Sequence, residues 1–92
     1  MEARAFTAIV HGLVQGVAFR HHTRVVAARL NLSGFVRNLP NGSVEIAAEG
    51  PKEPLEELAE WIHHGPDYAR VERVDLEWCE PRGQKGPFTI RF

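Results

Sequence analysis

Phe35-Val36-Arg37-Asn38-Leu39 and Val44-Glu45-Ile46-Ala47-Ala48-Glu49 are two short strand-like runs on either side of Pro40-Asn41-Gly42-Ser43. Asn41-Gly42 is a strong hairpin signal, because both residues tolerate positive φ. The second run alternates cleanly, with Val44, Ile46 and Ala48 opposing Glu45, Ala47 and Glu49. Upstream, Phe19, Thr23, Val26, Ala27 and Leu30 fall at i, i+4, i+7, i+8 and i+11, which predicts a helix from near Phe19 to about Leu30. Asn31 is its expected stop. Before it, Arg4 to His11 alternates as a strand, with Phe6, Ala8 and Val10 on one face. Downstream, Gly50-Pro51 ends the hairpin, and Pro51 or Pro54 suits the first turn of a second helix. Leu55, Leu58, Ala59 and Ile62 form its apolar stripe, and Gly65-Pro66 stops it. Arg70 to Glu80 alternates again, with Val74, Leu76 and Trp78 facing one way. A Pro/Gly-rich loop from Pro81 to Pro87 then leads to a short strand carrying Phe88, Ile90 and Phe92.

The hairpin thus sits between two strand–helix units, giving the order βαββαβ with a short C-terminal strand. That is an α+β, ferredoxin-like split βαβ arrangement: an antiparallel sheet with two helices on one face. Each helix has a single apolar stripe, as covering one sheet face requires. Function does not follow from this architecture, which hosts many unrelated activities.

The chain has 92 residues, 43% hydrophobic and 25% charged, the range of a compact globular domain rather than a disordered segment. One domain over residues 1–92 is expected. The formal net charge of -1 gives no global attraction to nucleic acid or anionic membrane, so an anion site has to be local. Cys79, the single cysteine, excludes an internal disulfide and reads as an inert packing residue. No apolar run is long enough to span a bilayer, and Met1-Glu2-Ala3-Arg4 does not resemble a leader peptide. A cytoplasmic location is the default expectation.

Two segments carry chemistry. Gly12-Leu13-Val14-Gln15-Gly16-Val17-Ala18-Phe19-Arg20 lies between a strand and a helix N-terminus. There backbone N–H groups lack helical partners and the helix dipole favours negative charge. Glycines let successive N–H groups converge on one anion, and Arg20 can add a bidentate guanidinium. The segment lacks the Gly-Lys-Ser/Thr ending of a nucleotide loop, so it suits one phosphate rather than a triphosphate. A tight glycine turn beside a solvent-exposed arginine accounts for these residues equally well. In the second segment, alternation puts Phe35, Arg37 and Leu39 on one face and Val36 and Asn38 on the other. Asn38 reads first as a strand-end residue bonding nearby backbone, and second as a group able to hold a water. His21-His22 and His63-His64 are adjacent pairs, about 100° apart on a helix, and so are not chelating pairs. His21 and His22 read as a solvated helix face, close enough to Arg20 to tune it. Trp61 and Trp78 read as core or edge aromatics.

Together the two segments resemble the signature of the acylphosphatase family. The first matches Gly-x-Val-Gln-Gly-Val-x-Phe-Arg at every fixed position. The second matches the Gly-aromatic-x-basic-Asn core at Gly34 to Asn38, followed by Gly42, Val44 and Gly50. The resemblance covers essentially the whole chain. It implies a hydrolase that converts acyl phosphates to a carboxylate and inorganic phosphate, with no metal, no cofactor and no covalent phosphoenzyme. It further implies that Arg20 and backbone N–H groups of Gln15, Gly16, Val17, Ala18 and Phe19 hold the phosphoryl group. Asn38 would orient the attacking water.

The reaction suits such a sparse residue set. A carboxylate leaves as a weak base, with a pKa near the ~4 of ordinary carboxyls, so a general acid is dispensable. Positioning and electrostatics then carry most of the catalysis. A monomer acting on a small acyl phosphate is expected, with neither nucleic acid nor membrane as partner. Little apolar surface is assignable to an acyl pocket, so broad specificity is expected. Two other readings come from different classes. A non-catalytic module binding phosphate or carbamoyl phosphate would keep the cradle without turnover. An RNA-binding domain shares the arrangement, and Ser33-Gly34-Phe35-Val36 faintly resembles its aromatic strand, but further strand aromatics and a basic surface are missing.

Overall fold

The computed structural model describes residues 3–92; Met1 and Glu2, part of the segment read above as lacking a leader pattern, lie outside the described residues. In chain order the elements are β1 (Ala3–Leu13), α1 (Phe19–Arg29), β2 (Ser33–Asn38), β3 (Val44–Pro51), α2 (Lys52–Ile62), β4 (Arg70–Cys79) and β5 (Thr89–Arg91). They form one five-stranded sheet in the order β4-β1-β3-β2-β5. The expected arrangement holds, with one correction. The four longer strands pair antiparallel, but β5 runs parallel to β2, so the sheet is mixed. The cause is the connection: the chain leaves β4 at one edge and crosses to the opposite edge, where it enters in the direction of β2.

Register explains which residues make the core. Trp78, Phe6, Ala48 and Gly34 lie across from one another, as do Leu76, Ala8, Ile46, Val36 and Ile90, and Val74, Val10, Val44 and Asn38. These rows face the helices. α2 packs over β1 and β3 with Leu55, Leu58 and Ile62, all fully buried, while α1 packs over β2 and β5. Burial of each such large side chain stabilises the fold by about 2 kcal/mol. α1 buries Phe19, Thr23 and Ala27 and ends at Asn31 with φ 58, as the sequence predicts. Among the described residues, no helix is long and apolar enough to cross a membrane.

On the other face, β4-to-β5 crossing is tied down by Glu49. Its carboxylate accepts the backbone N–H groups of Arg82 at 2.8 Å and Gly83 at 3.0 Å, and Ser33 Oγ donates to Gly86 O at 2.8 Å. Towards the other end of the β1–β4 pair, His11 Nε2 lies 3.0 Å from Asp75 Oδ2. Hydrogen bonding from His11, aided by Arg73, holds the exposed Asp75 carboxyl below its ordinary value. Trp78 is an edge aromatic, 48% exposed with its ring against Phe6, and Cys79 is a free, half-buried thiol.

One glycine decides the β2–β3 pairing. Gly34 has φ 138, and a Cβ there would lie 1.9 Å from Ala47 O. Gly34→Ala is therefore expected to destabilise the protein by about 3 kcal/mol, through backbone clash and an unfavourable φ. Urea unfolding of the variant against the parent measures it; a change below about 0.5 kcal/mol would show that the strands can part at no cost.

Candidate active site

The site grows from the end of β1. Its pairing with β4 shifts register between His11 and Gly12, and Gly12 (φ 130) brings the backbone so close that a Cβ would sit 2.1 Å from Arg70 O. Val14 to Ala18 then join β1 to α1. Val14 is buried and anchors the start of this loop in the core. Gly16 has φ 76 and Ala18 has φ 60 and ψ 25, while Val17 between them and Phe19 after them are not among the positive-φ residues. Alternating φ signs of this kind turn successive N–H groups towards a common point, the geometry of an anion nest. A left-handed alanine costs on the order of 1 kcal/mol, so the surrounding contacts impose it.

The start of α1 is electrically bare. Ala18 makes no side-chain cap, and the first turn has no acidic residue. The unpaired N–H groups and the dipole therefore leave a positive end facing the loop. Arg20, in that first turn, adds a full positive charge. Its guanidinium carbon lies 4.9 Å from the ring centroid of Phe92, the last residue of the chain.

Asn38 closes the site from the other side. It is the last residue of β2, on the helix-facing side of the sheet, in register with Val44. Its Oδ1 is buried and has no hydrogen-bond partner among the described residues. That differs from the expectation that Asn38 bonds nearby backbone: at its register position the side chain turns into the gap below α1. Leaving such an oxygen unpaired costs about 1–3 kcal/mol unless water or a ligand reaches it. A small cavity of about 170 Å³ separates Asn38 from α1, lined by Val14, Gly16, Ala18, Phe19, Arg20, His21, Asn38, Ile90 and Phe92.

Of the residues singled out in the sequence, Gly16, Ala18, Phe19, Arg20 and Asn38 thus border one cavity. Gln15 and Val17 do not line it. Val17 packs against the core, and Gln15 Nε2 donates to Leu39 O and Ser43 O, both at 2.8 Å. This brace ties the loop to the β2–β3 turn, which Asn41 itself stabilises by accepting the backbone N–H of Ser43 at 3.0 Å. Motif reading gave no sign of the brace, because the partners are backbone carbonyls. Nor did it bring out Phe92, which follows from the pairing of β5. His21 and His22 are both exposed, their rings 5.5 Å apart, and His21 borders the cavity. His63, at the end of α2, has Nδ1 2.8 Å from Ala59 O.

A split βαβ sheet with a small cavity at the acid-free start of the first helix defines a small α+β protein. The acylphosphatase family model matches residues 6–90, and the chain belongs to that family of hydrolases. An acylphosphatase from Geobacter sulfurreducens is 50% identical over 92 residues, covering 100% of both chains. Among solved structures, an acylphosphatase from Bacillus subtilis superposes with TM-score 0.91 at 32% identity, covering 97% of this chain and 99% of its own. One from Coxiella burnetii gives TM-score 0.91 at 36% identity, covering 97% and 93% respectively.

The brace yields a prediction. Gln15→Ala removes two neutral hydrogen bonds and is expected to lower stability by about 1–2 kcal/mol. It is also expected to slow hydrolysis several-fold, because Leu39 adjoins Asn38. Denaturant titration and steady-state kinetics of the same variant check both; wild-type kinetics in a destabilised variant would confine the brace to folding.

Proposed function

We propose that the chain hydrolyses acyl phosphates to a carboxylate and inorganic phosphate by in-line attack of water, without a metal or a covalent phosphoenzyme. The observation that carries this reading is that Asn38, whose buried Oδ1 has no hydrogen-bond partner among the described residues, borders the same cavity as Arg20 and the bare start of α1. In it, the guanidinium of Arg20 and the N–H groups of the Gln15–Phe19 segment hold the phosphoryl oxygens. Asn38 Oδ1 accepts a hydrogen from the attacking water, which turns the water's lone pair towards phosphorus. The phosphorus–oxygen bond to the acyl group breaks as the new one forms, and the electron pair leaves on a carboxylate.

Charge builds on the phosphoryl oxygens and the leaving carboxylate, where the fixed N–H groups and Arg20 are already oriented. The water's proton passes to a phosphate oxygen, so no protein base is needed. A weakly basic leaving group makes that sufficient. A one-domain, monomeric enzyme of the cytoplasm, with neither nucleic acid nor membrane as partner, fits the net charge of -1 and the lone cysteine.

The test is turnover of benzoyl phosphate in excess EDTA, with activity expected to survive the chelator. Arg20→Gln is expected to raise the inhibition constant of inorganic phosphate about tenfold or more and to reduce turnover with it. Asn38→Ala is expected to reduce kcat by about 100-fold or more while phosphate still binds. Full activity in Asn38→Ala would remove the water-positioning role; loss of activity in EDTA would remove the metal-free mechanism alone.

A further inference from the structure

Next to the small cavity beside Asn38 lies a second, larger depression. A groove of about 710 Å³ runs along the outer side of α1 and is closed opposite by the end of α2 and the turn that follows it. Ala18 and His21 border both spaces, so the two adjoin at these residues. The groove is bordered by Ala18, the N-cap of α1, and by His21, His22, Val25, Val26 and Arg29 of the helix, a line down one side of it. At 1.5 Å per residue the line is about 16 Å long, with Val25 about 10 Å from the cradle end. Its far wall is Trp61 and Tyr68, joined through Gly65 (φ 68), whose Cβ position would collide with the Phe19 ring.

Two apolar side chains of this groove are left open to water. Tyr68 is 84% exposed and Val25 is 39% exposed, although both face a concave surface next to the site. A large aromatic side chain gains little for folding when it is left in water. The same residues would gain from covering the apolar part of a ligand anchored in the cradle. Histidines 21 and 22 and Arg29 face the groove against a single acid, Asp67, which suits the approach of an anionic substrate.

We propose that this groove is the acyl-group subsite, and that it takes aromatic or extended apolar acyl groups over Val25, Trp61 and Tyr68. The inference rests on the hydrolase reading above. With the phosphoryl group in the cradle, the acyl carbonyl emerges beside Ala18 and His21, and its substituent lies along α1. A two-carbon acyl group ends before Val25, whereas a benzoyl or longer chain reaches it. Contact beyond the carbonyl changes ground-state and transition-state binding alike, so the groove acts on KM more than on kcat.

The test compares benzoyl phosphate with acetyl phosphate in Tyr68→Ala and in Val25→Gln, both exposed positions where folding tolerates change. Each variant is expected to lower the benzoyl-to-acetyl ratio of kcat/KM by about five- to tenfold, carried mainly by KM. Val25→Trp, which fills the groove, is expected to lower that ratio by at least as much. A ratio unchanged in all three variants overturns the proposal while leaving the hydrolase reading intact. Absence of turnover of both substrates by the parent chain overturns the two together. A concentration-dependent dimer of the parent that Tyr68→Ala abolishes would assign the groove to a second copy of the chain, and would overturn the acyl subsite.

Discussion

The two hydrogen bonds from Gln15 Nε2 to Leu39 O and Ser43 O join the two halves of the site. Arg20 sits on a helix and Asn38 at the end of a strand, and the sheet alone does not fix their relation, because Val14 to Ala18 lie outside it. Without the brace, that connection could swing about Gly16, whose surroundings are open. With it, the loop, the start of α1 and the β2–β3 turn become one rigid corner. Each neutral hydrogen bond adds only about 1 kcal/mol. Their larger effect is on precision, since a displacement of about 1 Å in a reacting group can cost two orders of magnitude in rate.

A rigid corner also explains how unfavourable features persist there. Ala18 is held left-handed, and Asn38 Oδ1 is buried without a partner. Together they oppose folding by a few kcal/mol. Phe6, Ile46, Leu55, Leu58 and Ile62, buried a strand or a helix away, more than offset that amount. Ala18 and Asn38 both border the same cavity as Arg20. A folded state optimised for stability alone would have capped α1 with an acid and turned Asn38 back to its own strand.

How much of this was legible in the residues depended on how local each feature is. The hairpin at Asn41-Gly42, the Leu55 to Ile62 stripe and the stop at Asn31 are written within a few residues, and the structure shows all three. The parallel pairing of β5 is not local: Thr89–Arg91 carries no sign of its direction, which the crossing over Glu49 imposes. Gln15 reaches carbonyls 24 and 28 residues away, and backbone acceptors leave no trace in a sequence. Asn38 was recognisable as a polar residue at a strand end, but not as one left without a partner. The groove was missed as well. Its apolar residues are scattered over α1, α2 and the following turn, and none belongs to a motif.

Comparing the two halves of the fold isolates what the site adds. Both halves run strand, helix, strand, and both helices have 11 residues. In the second half β3 passes straight into α2 through Pro51, and Glu53 supplies negative charge to the first turn. That is the economical junction for a helix on a sheet. The first half uses Val14 to Ala18 instead, with two positive-φ residues and no acid in the first turn. Covering the sheet does not require this, since α2 covers its share without it. The difference between the junctions is therefore a local elaboration on a near-symmetric scaffold, and what it produces is a positive helix end without an acid, beside Asn38. An anion would match both the positive charge and the N–H groups at this junction, as the proposed phosphoryl binding requires.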